Sequence, residues 1–110
     1  MTEGLNKDKL GLEDIIRLAK ENSSELFIRF YEFNPSFIKN LYNINPELSS
    51  VNIVFCIMIW LGFSSKEIAQ YTFMEHRSVQ TKRGRLRKKL NIESEVDIHK
   101  FLRELSDSVT

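Results

Sequence analysis

The chain is predicted to be all-α, on three observations. Only four Gly and two Pro occur in 110 residues, too few for a fold of many short strands and turns. Apolar residues recur at spacings of three and four, the helical period, and alternation of the β type is scarce. Helix-boundary residues stand at intervals, among them Asn34-Pro35, Asn45-Pro46 and Ser64 with Glu67 three later.

The elements follow in order. Residues 1–10 are polar and are expected to be frayed. Glu13 and Asp14 open a helix bearing Ile15, Ile16, Leu18 and Ala19, since acids suit the positive helix end. Ser23 and Ser24 are placed to cap a second helix with Leu26, Phe27, Phe30 and Phe33, unless the two run on as one. Asn34 caps and Pro35 opens a short helix presenting Phe37, Ile38 and Leu41. Ser49 or Ser50 then caps a helix with Ile53, Val54, Ile57, Met58 and Leu61, and Gly62 stands where a left-handed cap belongs. Ser64 and Glu67 make a capping box for a short helix ending near Tyr71. A link of Thr72 to Glu75 leads into a basic helix that ends at Asn91, a second choice for a left-handed cap. Ser94, with Asp97 three later, is read as the cap of a last helix carrying Val96, Ile98, Phe101, Leu102 and Leu105.

Composition removes several classes. One cysteine, Cys56, excludes an internal disulfide and a cysteine-based zinc site, and points to a reducing, cytoplasmic setting. Cys56 itself reads as a small core hydrophobe. The N-terminus has no apolar stretch of the secretory kind. Val51 to Phe63 is the longest apolar run, 13 residues including Asn52, and a bilayer needs roughly 20. No membrane association is expected. There is no nucleophile triad, Gly-rich phosphate loop or metal cluster, so an enzyme, a cofactor and a metal are not expected, and no small-molecule ligand is evident. A receiver domain of repeating βα units has no counterpart in the leading 47 helical residues.

Charge is local. The formal net charge is +1, yet seven Lys or Arg fall between Arg77 and Lys89 with no carboxylate among them. Val79, Leu86 and Leu90 thread this block at offsets of seven and four and define one buried face. The cations must take the remaining faces, and a cationic helix without acids suits a polyanion, most commonly nucleic acid. A short capped helix, a tight turn and a basic helix are the parts of a helix-turn-helix, in which the second helix enters the major groove.

From Leu48 to about Leu105 the chain resembles the LuxR/GerE-type helix-turn-helix domain. The likeness rests on four ordered blocks: Leu48-Ser49; Gly62 to Ala69, reading G-F-S-S-K-E-I-A; Ser78-Val79; and Lys88 to Ile92, reading K-K-L-N-I. The run R-x-R-L-R-K-K-L is similar to a variant at the C-terminal end of large bacterial sensor-regulators. The upstream Phe30, Phe33, Pro35 and Phe37 are similar to that variant's aromatic segment. The resemblance implies a four-helix LuxR-type domain at 48–105, preceded by a helical N-terminal arm at 1–47 and followed by a tail at 106–110. It implies a bacterial transcription regulator binding double-stranded DNA in a sequence-specific or semi-specific way, with residues 77–90 in the major groove. A homodimer through the last helix, at Val96, Phe101 and Leu105, and contact with RNA polymerase belong to the same expectation. Carried position by position, the base-facing residues are Gln80, Thr81 and Gly84. The phosphate-facing ones are Ser64, Ser65, Lys66, Arg77, Lys82, Arg85 and Lys88. Gln80 can pair bidentately with adenine, and Thr81 can offer a methyl to thymine.

Plainer readings stand beside these. Arg87 can cover the core edge with its stem, and Arg83 can pair with a carboxylate of the last helix. His76 reads as an exposed histidine and His99 as a surface one. The Phe27–Phe37 segment is expected to pack on the Val51–Phe63 helix. The rival function is a helical interaction module whose basic helix docks an acidic partner protein. Met1 fits a complete chain, and one end of a longer sensor is the alternative.

Overall fold

The computed structural model describes the backbone of residues 3–107 and the side chains of 11–106. Those residues form seven helices and no strands: α1 (Glu3–Lys20), α2 (Leu26–Phe33), α3 (Pro35–Ile44), α4 (Ser50–Trp60), α5 (Ser65–Thr72), α6 (His76–Leu90) and α7 (Ile98–Asp107). Among them none is long and apolar enough to cross a membrane.

Most boundaries come from the residues that chemistry favours. Asn34 Oδ1 accepts the Phe37 amide at the start of α3, with Pro35 in the first turn. Ser49 caps α4 in a box closed by Asn52. Gly62, at φ 92°, ends α4 in the left-handed region, and the Phe63 amide reaches back to Met58 O. A side chain at Gly62 would be strained there.

Four expectations need correction. The first helix begins at Glu3 rather than Glu13, since no proline interrupts 3–12; residues 1 and 2 lie outside the description. It is separate from α2, because Asn22 turns left-handed at φ 53° and the Ser23 amide returns to Leu18 O. Ser23 spends its hydroxyl on the Glu25 amide, so α2 starts without a side-chain cap. At the other end Asp97, not Ser94, caps α7. Its carboxylate accepts the Lys100 amide, and Val96 stays in the preceding loop. An aspartate directly before the apolar-periodic run outcompetes a serine three residues farther away. Ser106 and Asp107, expected in a tail, complete α7; residues 108–110 lie outside the description.

The core centres on α4, which buries seven of its 11 residues, including the unbroken run Phe55–Trp60. A helix apolar all round needs neighbours on every side. α2 packs on it, and α7 packs on both α3 and α4. Trp60 is 7% exposed. It is edge-on to Phe30 with centroids 5.1 Å apart, and Phe33 and Phe37 stand 6.3 Å away. Arg103 stacks on the indole at 4.0 Å and donates from Nε to Trp60 O. Trp60 Nε1–H donates to the Ser106 hydroxyl, which donates in turn to Arg103 O. Asn40 Nδ2 donates to Leu105 O, tying α3 to α7. Asp14 takes both Arg17 and Arg29, joining α1 to α2. Cys56 lies deep in this core, and burial pushes its thiol up to about 12, leaving it unreactive.

Candidate nucleic-acid interface

The charged surface is built by α5 and α6, which pack closely on each other. Ser64 and Glu67 form the capping box reciprocally: the Ser64 amide donates to Glu67 Oε1 at 2.8 Å and the Glu67 amide to Ser64 Oγ at 3.1 Å. That leaves the Ser65 and Lys66 amides as orphan donors of the first turn. α5 ends at Phe73, left-handed at φ 58° and 86% exposed, with its amide and that of Met74 both bonded to Ala69 O. A bulky residue in that region costs roughly 1 kcal/mol. Nothing in the sequence announced it. α6 then starts at Glu75, whose side chain makes no cap bond. Its first amides are unpaired at the tip.

Val79, Leu86 and Leu90 bury one face of α6. Arg77, Thr81, Gly84 and Lys88, separated by four, three and four, form the exposed crest opposite, with exposed Gln80 beside them. A Cβ placed on Gly84 would meet nothing within 4 Å, so packing does not demand glycine there. Ser64 and Lys66 are exposed and Ser65 half-buried, while Arg85 is exposed and Lys82 half-buried.

The seven cations divide. Arg83 and Arg87 turn toward the body of the protein. Arg87 Nη1 donates to Glu93 O at 2.9 Å and Val96 O at 2.8 Å, holding the α6–α7 loop. Arg83 Nη1 is buried without a partner, on a cleft shared with Asp97 and His99. Burial holds its pKa below the ordinary guanidinium value; repulsion from Arg87 adds to this and Asp97 opposes it. Arg83 forms no ion pair. His99 is half-buried rather than a surface residue, and its Nε2 is buried without a partner. The other five, Arg77, Lys82, Arg85, Lys88 and Lys89, face outward. None of the seven is ion-paired among the described residues.

Lys89 is the cation that sequence reasoning left off its site. It lines a groove with Lys82 and Arg85, and the spacing of 82, 85 and 89 was the signal. Asn45 was missed as well: its Nδ2 donates to Lys89 O, fixing the end of α6. Val96, in the loop before α7, and Phe101 and Leu105 on it are half-buried against the protein's own core. No family model, curated protein or solved structure gives a significant match to this chain.

Proposed function

We propose that the chain is a DNA-binding transcription regulator of the LuxR type, with α6 as the helix that enters a major groove. The observation that carries the reading is the outward face of α6. Five unpaired cations flank Gln80 and Thr81, and no acid stands between them. α5 lies against that helix with its capped N-terminus, where phosphates bind through orphan amides. In this mechanism Arg77, Lys82, Arg85 and Lys88 grip the backbone and set register. Gln80 and Thr81 read base edges. Pairing of two copies through α7 and contact with RNA polymerase remain part of the proposal.

Fluorescence anisotropy with a random duplex tests it. Binding is expected at low salt, with log K falling against log salt at a slope of roughly −3.6 for the four phosphate-gripping cations. Binding that ignores salt, or none at low salt, sinks the reading. Duplexes selected from a random pool then report base preference, and a recovered palindrome reports a two-fold dimer.

A further inference from the structure

Two grooves meet along the N-terminal half of α4. One, of about 330 Å³, is lined by Val51, Val54, Phe55, Met58 and Met74, together with Lys82 and uncharged polar residues at positions 22–24, 50 and 72. The other sets Val51 and Phe55 opposite Lys82, Arg85 and Lys89. They share Val51, Phe55 and Lys82, so they form one trough, apolar at one end and cationic at the other. Val51, at the junction, is 57% exposed. No carboxylate lines either part. None of the three cations is ion-paired among the described residues.

Duplex DNA accounts for the cations and not for the apolar half, because a phosphodiester backbone gains nothing from Val51, Val54 and Met74. A small apolar ligand accounts for the reverse. An occupant complementary to both halves carries an apolar stripe and acids beside it. We infer that the trough docks an acidic amphipathic helix of a partner protein. Its apolar residues lie on Val51, Val54 and Met74, and its flanking carboxylates face Lys82, Arg85 and Lys89. Lys82 and Lys89 stand seven residue steps apart on α6, a row of about 10 Å at 1.5 Å per residue. Carboxylates three and four apart on a second helix match that row. Met74, half-buried over the core residue Met58, supplies adaptable surface of the kind peptide grooves use. Lys82 and Arg85 also belong to the proposed phosphate contacts, so this helix and DNA exclude each other. Only that competition rests on the DNA reading; the docking does not.

The test titrates isotope-labelled full chain with synthetic helical peptides of about 16 residues. They carry Leu at three- and four-residue spacings with Glu on the flanks, and a scrambled peptide of the same composition is the control. The methyl signals of Val51, Val54 and Met74 are expected to shift with micromolar affinity, weakened by salt. Val51→Ser, at an exposed position, is expected to weaken the peptide about five- to tenfold through lost apolar burial. Duplex affinity stays unchanged in that variant, and in the wild-type chain the peptide releases labelled duplex. Equal binding of the scrambled peptide, or no binding, overturns the inference. So do shifts of the same methyls on dilution, which mean a second copy, or a Val51→Ser variant that loses duplex affinity as much as peptide affinity, which means DNA fills the trough. Peptide docking as described in a chain that binds no duplex keeps this inference and removes the DNA reading.

Discussion

Adjacent arginine and lysine on one helix have opposite jobs. Arg87 donates to two backbone carbonyls of the loop before α7, whereas Lys88 stands exposed on the crest. A charged donor spent on carbonyls holds structure, while an exposed cation is left for an external anion, phosphate in the proposed reading. Arg87→Ala is therefore expected to cost about 1–2 kcal/mol of stability and to leave the slope of the salt dependence in place. Lys88→Ala is expected to do the converse, lowering that slope by about 0.9 without moving the denaturation midpoint. Urea melts and anisotropy on the two variants check both, and a Lys88 variant with unchanged slope removes that residue from the phosphate set. The buried face of α6 was legible from the spacing of Val79, Leu86 and Leu90. The partition of its cations was legible only by half. A wheel puts Arg83 and Arg87 on a flank, but the path of residues 91–97 decides what that flank meets.

At the scale of elements, caps were the most readable feature, because each is a short-range contest between a side chain and a few amides. Asn34, Ser49, Ser64 and Asn91 all cap as their residue types dictate. The failures occurred where two candidates lay close together, as with Ser94 and Asp97, or where a serine bonded locally, as Ser23 does. Asp97 carries a testable pH signature. Its carboxyl is held below the usual range, chiefly by the Lys100 amide, and His99 adds to this while desolvation opposes it. A depressed acid stabilises the fold above its unfolded pKa of about 3.9, and that contribution is lost as pH falls through the lower folded value. Asp97→Ala is expected to melt earlier than the parent at pH 7. The gap closes in acid below about pH 4, and Asp97→Asn, still a good cap, is expected to keep part of the difference. Thermal scans across pH decide it, and a gap independent of pH refutes the charge argument.

For the molecule as a whole, the N-terminal arm is packed into the core rather than appended to it. Phe30, Phe33 and Phe37 surround Trp60, which sits at the end of α4, and α3 packs against α7. Residues 46–110 expressed alone would leave that indole and the inner side of α7 uncovered. The fragment is expected to lose its cooperative thermal transition and to shift Trp60 emission toward that of solvated indole. A sharp melt from the fragment would show that residues 46–110 stand by themselves. The aromatic segment was legible as a core element from its composition. That it closes over α7 as well as α4 was not, since contacts so distant in sequence leave no local pattern.

The two ends of α6 are held unequally. Asn45 and Arg87 secure the last turn from two separate segments, while Glu75 leaves the first turn without a side-chain cap. Side-chain hydrogen bonds thus fasten the C-terminal end of α6, while its N-terminal end is held by packing on α5. Gln80 and Thr81 lie one turn in from that uncapped start, so under the proposed DNA reading the residues assigned to base edges sit nearer the less fastened end of the helix.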